Sequence, residues 1–390
     1  PRIRYAESMF GTRQLALLFL ILQALLVVIP SVAAAQTRPA EGLTEGAQLF
    51  AAGCAGCHGP RGSGAADSTV GFQKPSTYPD FTSCQQTSSE VQADWWAVIH
   101  DGGKARGFSR IMPAFGDLLT SEQITALVRY IRGLCRDRSW AIGELNLPRP
   151  LITEKAFPES ETIVTSTIGP AAEGGRGHDA VTALQYERRF GATNQIEILV
   201  PFAVAHDQSG AAQRGVGDAE FGIKHVMFSS ARTGSIVSVL GVVTLPAGDS
   251  EKGLGTGTTI FEADATVAQM FPGSTFLQGQ AGIEQGANRD QAPRAGFVRV
   301  AAGKSFRADR GLGRMWSPML EFIAKRDFVT GASTDIDLVP ELQVTLSQRQ
   351  HVRGLVGVQV PVTNRDDRPK QVGFYVLWDW FDGSLFKGWR

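Results

Sequence analysis

Cys54-Ala55-Gly56-Cys57-His58 is the chemically densest stretch of the chain. The C-x-x-C-H spacing lets two thiols form thioethers with the vinyl groups of one haem. The adjacent imidazole then faces the iron as its proximal ligand. A zinc site is the competing reading, but zinc needs four protein ligands and no second cysteine pair lies nearby. A sixth iron ligand must come from downstream. Ile111-Met112-Pro113-Ala114-Phe115-Gly116 offers Met112 in an extended stretch fixed by Pro113. A thioether ligand favours Fe(II) and raises the potential. Met112 is preferred; the competing readings are a core methionine and His100 as donor, which sits at the end of a predicted helix.

Helices must position these donors. Residues 43–57 carry Ala47, Leu49 and Phe50 on one face. Thr87-Ser88-Ser89-Glu90 reads as a capping box opening a helix through Trp95, Trp96 and Ile99, which Gly102-Gly103 should stop. Thr120-Ser121-Glu122-Gln123 is a second box, followed by Ile124, Leu127, Val128, Ile131 and Leu134 at helical spacing. The haem motif, the helix order and the Met-Pro-Ala-Phe-Gly segment together resemble the mono-haem class I cytochrome c family, over about residues 42–137. That resemblance implies a small all-α domain whose first and last helices cross beside the haem. It also implies one covalent haem c on Cys54 and Cys57, His58 and Met112 as axial ligands, and electron transfer without substrate chemistry. The chain would then be no enzyme, and its partners would be periplasmic redox proteins.

Residues 1–35 carry export grammar: Arg13, an apolar run from Leu15 to Ile29, Pro30, and Ala33 and Ala35 before Gln36. The run is short of the roughly twenty residues that a spanning helix needs; an uncleaved anchor is the alternative to a cleaved signal. Export places Cys84 and Cys135 in an oxidising compartment. One precedes the Trp-Trp helix and the other ends the last helix, so a disulfide is expected, the alternative being two buried thiols. Residues 138–160, with Pro148, Pro150 and Pro158, read as an extended, semi-rigid linker. Part of it could instead line or plug the next domain.

From residue 161 the period changes to two. Ile196, Ile198, Val200, Phe202 and Val204 share a face opposite Glu197. Leu320, Phe322 and Ala324 alternate with Glu321 and Lys325, and Val372, Phe374, Val376, Trp378 and Trp380 alternate with Gln371 and Asp379. Twelve such runs over residues 161–390 suit an antiparallel transmembrane β-barrel of the outer-membrane type, in contact with outer-membrane lipid. Short turns at 191–194, 229–234, 272–274 and 347–350 alternate with long connections, as periplasmic turns and external loops do; the order fails near 308–315 and 329–334. The charged face supplies Glu220, Lys224, Glu262, Asp264, Arg299, Glu321, Lys325, Asp337, Glu341 and Arg353 as lumen candidates. A soluble β-sandwich or lipocalin-like barrel is the competing fold, because alternation alone does not say which face is inside. Residues 215–224 resemble a motif of outer-membrane proteins linked to aromatic-compound degradation by the meta pathway, of the transporter type.

The composition agrees with this division. The chain has 390 residues, 38 basic against 38 acidic, and 44 glycines, with a mean hydropathy of −0.06. A net charge of zero argues against a nucleic-acid binder held by a basic field. Disorder, collagen and a polytopic helical membrane protein are excluded as well. No phosphate loop, nucleophile triad or His/Cys cluster beyond the haem motif is present. Three functions compete. The first is a haem-c electron carrier tethered to the outer membrane, with its cytochrome domain in the periplasm. The second is an outer-membrane transport channel for a small-molecule solute, with the cytochrome domain as redox gate or plug. The third is a redox enzyme, for which no substrate site is visible.

Overall fold

The helical part begins with α1, Glu41–Leu49, which runs on through a π-helical turn, Phe50–Cys54, into Ala55–His58. A single turn, Cys84–Thr87, precedes α2, Gln92–Asp101, and α3 spans Ser121–Arg132. This computed structural model describes residues 41–75, 78–171, 177–206, 210–307, 315–347, 349, 351–366 and 368–379. The predicted signal at 1–35 and Trp380 lie outside the described residues.

The three helices share one core. Phe50, Phe81, Ile99, Ile124, Leu127, Val128 and Ile131 are buried together. α1 and α3 cross where Gly46 meets Ala126: a Cβ on Gly46 would lie 2.9 Å from the Ala126 carbonyl carbon, so only glycine permits the approach. The second capping box forms as read, with Thr120 accepting from the Gln123 amide and Gln123 answering the Thr120 amide. The first does not form. Thr87 closes the Cys84–Thr87 turn instead, and α2 starts later, with Val91 as its N-cap. Its orphan amide at Gln92 is met by Glu144 Oε1 at 2.6 Å. A carboxylate from far along the chain replaces the local cap. Cys84 and Cys135 are joined by a disulfide with Cα atoms 5.0 Å apart.

Twelve antiparallel strands follow: β1 Glu161–Pro170, β2 His178–Phe190, β3 Asn194–His206, β4 Ala219–Ser230, β5 Ser235–Leu245, β6 Ile260–Phe271, β7 Thr275–Gly286, β8 Ala295–Lys304, β9 Met315–Asp327, β10 Asp335–Thr345, β11 Val352–Pro361 and β12 Gln371–Asp379. Two short ladders extend the hairpins, Ala212–Val216 on β3 and Phe306–Arg307 on β9. β12 pairs with β1, from Glu161↔Asp379 to Ile168↔Val372, which closes the barrel and removes its edges. One bulge interrupts β4, between Val226 and Phe228.

Which face is inside is now plain. Ile223 is 62% exposed while its neighbour Lys224 is 0% exposed, and Leu320 is 50% exposed beside Glu321 at 0%. Val200, Phe202, Phe261, Ile283, Val356, Phe374 and Val376 also point outward. A water-soluble barrel would bury that face; exposing a continuous apolar girdle around a polar interior is the arrangement that lipid demands. The strands, 9 to 13 residues long, suit a tilted crossing of the bilayer core. Trp378 departs from the expected outward series, being only 7% exposed. Among the described residues no helix is long and apolar enough to cross a membrane.

The stretch read as a linker is not free. Its second half runs inside the barrel, the alternative of the two sequence readings that keeps it against the wall. Tyr375 Oη and Gln343 Nε2 both donate to the Arg149 carbonyl, at 2.5 and 3.3 Å. Gln278 donates to Pro148 O at 2.8 Å, and Ser238 to Ala156 O at 2.5 Å. Ala156 and Phe157 join Ile163, Ile236, Phe276, Leu355 and Leu377 in the second core of the molecule.

Candidate haem site and plugged lumen

Cys54, Cys57, His58 and Met112 line one cavity of about 250 Å³. The other walls are mainly apolar: Phe72, Tyr78, Phe81, Trp95, Ile99, Phe108, Ile111 and Phe115. α1 delivers the motif. The π-turn at Phe50–Cys54 rotates Cys54 into the core while Cys57 remains exposed; such turns within helices often mark functional sites. After His58 the chain folds back on itself, with Gly64 N donating to His58 O at 2.8 Å and Ala65 N to Cys57 O at 3.0 Å. Tyr78 Oη donates to Cys57 O, and its ring stacks on His58 with centroids 5.3 Å apart.

The Met112 segment is held by the end of α2. Gly103 N donates to Met112 O at 3.0 Å, Phe115 N to Ile99 O at 2.9 Å and Gly116 N to His100 O at 2.9 Å. Met112 sits at a bend, its amide bonded to Ser109 O at 3.3 Å, and no regular element covers 112–115. Gly116 lies flat on the His100 ring, where a Cβ would come within 2.7 Å of Nε2. His100 is turned elsewhere: its ring stacks on Trp96 and its Nδ1 meets Asp101 Oδ1 at 2.7 Å. It does not line the cavity.

The donor set suits a covalent haem. Both thiols of the motif are free. Burial pushes the Cys54 thiol up to about 11 and the His58 imidazole down to about 4, so His58 is neutral, the form that binds a metal. His58 Nδ1 is buried without a hydrogen-bond partner. On the cavity wall, burial works to raise Glu90, but His351 and then Arg106 and Arg353 outweigh it and hold the carboxyl below its ordinary range.

Residues 43–134 match the family model for cytochrome c. The chain therefore carries a cytochrome c domain followed by a closed barrel of twelve antiparallel strands. No curated protein is significantly similar to the chain. Among solved structures, an outer-membrane channel of Pseudomonas putida F1 is 12% identical, covering 59% of this chain and 99% of its own, with a TM-score of 0.41. A KdgM porin is 11% identical, over 56% and 99%, with a TM-score of 0.38. A NanC porin is 7% identical, over 56% and 98%, with a TM-score of 0.39.

The predicted lumen charges divide into two groups. Lys224, Glu321 and Glu341 meet the inserted segment. Lys224 Nζ reaches Glu154 at 2.6 Å. Glu321 accepts from the Ile152 and Thr153 amides at 3.0 and 2.7 Å, and Glu341 from the Leu151 amide at 2.9 Å. The others meet the wall. Arg299 bonds Gln280 at 3.0 Å, and Arg353 pairs with Asp379 at 3.1 Å. Lys325 pairs with Glu284 and Asp337 with Arg368, both near the long-loop end. Glu220, Glu262 and Asp264 occupy the inward positions of β4 and β6. Arg149 was missed, although it is the centre of the network: it pairs with Glu154, Glu161 and Glu187 at 3.0, 2.9 and 2.9 Å. Lys155 and Glu159 form a further buried pair. The signal in the sequence was the charge density of the presumed linker, where Arg149, Glu154, Lys155 and Glu159 alternate with Leu147, Leu151 and Phe157.

Proposed function

We propose that this protein is a haem-c electron carrier seated in the outer membrane by a barrel that its own chain closes. The observation that carries the reading is the course of residues 146–160, which leave the cytochrome domain and enter the lumen. There the backbone amides of Leu151, Ile152 and Thr153 are bound by Glu341 and Glu321 of the wall. A segment held by wall carboxylates and filling the interior favours an anchor over an open conduit.

Cys54 and Cys57 would attach one haem and His58 and Met112 would bind its iron; when bound, the haem would supply one-electron exchange. The thioether of Met112 favours the reduced state, and the apolar walls around it keep water from the iron. The cytochrome domain stands at the short-turn end of the barrel, where Arg349 bonds Gly107 O at 2.8 Å and Arg189 bonds Ala141 O at 3.3 Å. Short turns face the periplasm in outer-membrane barrels, so the haem faces periplasmic redox proteins. Fractionation tests this. The intact chain should appear in the outer membrane, stain for covalent haem, and shift its gel mobility on heating. Recovery of the full chain as a soluble periplasmic protein, or a chain without reducible haem, would refute it.

A further inference from the structure

The barrel does more than hold the cytochrome domain. Between β10 and β11, Arg349 is 6% exposed and reaches into that domain. Its Nε and one terminal nitrogen both donate to Gly107 O, at 3.1 and 2.8 Å, and its guanidinium lies 4.5 Å from the Phe108 ring centre. Gly107 and Phe108 open the loop that carries Met112. Phe108 N bonds Gly103 O at 2.8 Å, and Gly103 N bonds Met112 O at 3.0 Å. Phe108 and Met112 line the same cavity. The same inter-strand connection brings His351 Nε2 to 3.4 Å from Glu90, also on the cavity wall.

We infer that Arg349 is a positioning residue for Met112, so that the barrel helps to keep the sixth ligand on the haem iron. A bidentate hydrogen bond from a buried guanidinium fixes both the place and the orientation of a backbone carbonyl, which a lysine ammonium does not. The cation over Phe108 fixes the adjoining ring. Two consecutive residues of the ligand loop are thereby tied to the connection between β10 and β11, and the loop's other end is tied to α2. The inference rests on the reading of Met112 as axial ligand.

The test uses the full-length holoprotein in detergent. Three readouts follow the sixth ligand: the methionine-to-iron charge-transfer band of the ferric form, the rate of CO binding to the ferrous form, and the midpoint potential. Arg349→Ala should bind CO at least about tenfold faster, because charge-assisted bonds worth more than one decade are lost. Its charge-transfer band should weaken and its potential fall. Arg349→Lys should fall between it and the parent, and carries the test if the alanine variant does not assemble. Arg189→Gln loosens the same docking away from the ligand loop and should leave all three readouts at parent values. Unchanged ligation in Arg349→Ala and Arg349→Lys would overturn the inference alone, as would an equal change in Arg189→Gln. A parent protein without the charge-transfer band would overturn the Met112 reading and this inference with it.

Discussion

Arg149 illustrates what single residues do in this lumen. Its guanidinium is 8% exposed and meets two carboxylates, Glu161 and Glu187, that are 0% exposed. Taking such charges out of water is costly, and the pairing offsets the cost only while every partner is present. Arg149→Met should leave two buried carboxylates facing each other and destabilise the barrel by about 3–5 kcal/mol, the usual penalty for breaking a buried pair. The check is the temperature at which the folded band converts to the heat-denatured one on a gel, which should fall well below the parent's. Arg149→Lys should recover part of the loss, since it restores charge without the fork. Cys54, Cys57 and His58 stood out in the sequence because they share one short motif, and the structure brings Met112 to the same cavity. Arg149 did not, because two of its three partners, Glu161 and Glu187, are supplied by strands that follow it in the chain, and only Glu154 is local.

At the scale of the element, local signals succeed where nothing distant competes. Both Thr120-Ser121-Glu122-Gln123 and Thr87-Ser88-Ser89-Glu90 have the composition of a capping box, yet only the first forms. The second is overridden by the turn at Cys84–Thr87, which the disulfide to Cys135 ties to the end of α3. The first amide of α2, at Gln92, goes instead to Glu144, which also pairs with Arg132 at 3.1 Å. Thr120→Ala should therefore destabilise the cytochrome domain by about 1 kcal/mol. Glu144→Ala should cost as much as Thr120→Ala or more, although it lies in the short 3-10 turn Gly143–Leu145, outside the three α-helices. Denaturant titrations followed by haem absorption in the full chain distinguish these. A Glu144→Ala loss well below that of Thr120→Ala would contradict the assignment. The strand periods were legible to within a few residues because each strand has one lipid face and one wet face. Residues 308–314, where the expected alternation of turns fails, lie outside the described residues.

For the whole molecule, the alternation left one question open: which face is inside. Closure of β12 on β1, with Ile223 and Leu320 out and Lys224 and Glu321 in, answers it. The course of residues 146–160 answers a second question that no periodicity could pose, since an extended segment in water and one in a lumen have the same backbone. The wall groups that a solute would meet, Glu321, Glu341, Gln343 and Lys224, are engaged by this segment. The intact protein in a planar bilayer should therefore pass little ionic current in either redox state. Replacing residues 149–158 with a flexible Gly-Ser stretch of equal length removes the side chains that answer the wall, while the backbone connection to the cytochrome domain survives. That variant should conduct, and its current should favour one sign of ion, because the wall carboxylates lose Arg149 and Lys155 as counter-ions. The channel reading makes the opposite forecast for the parent: current that appears on reduction of the haem and disappears on oxidation. Redox-dependent current in the unaltered protein would make the inserted segment a gate; silence in the parent with current in the variant would make it a permanent seal.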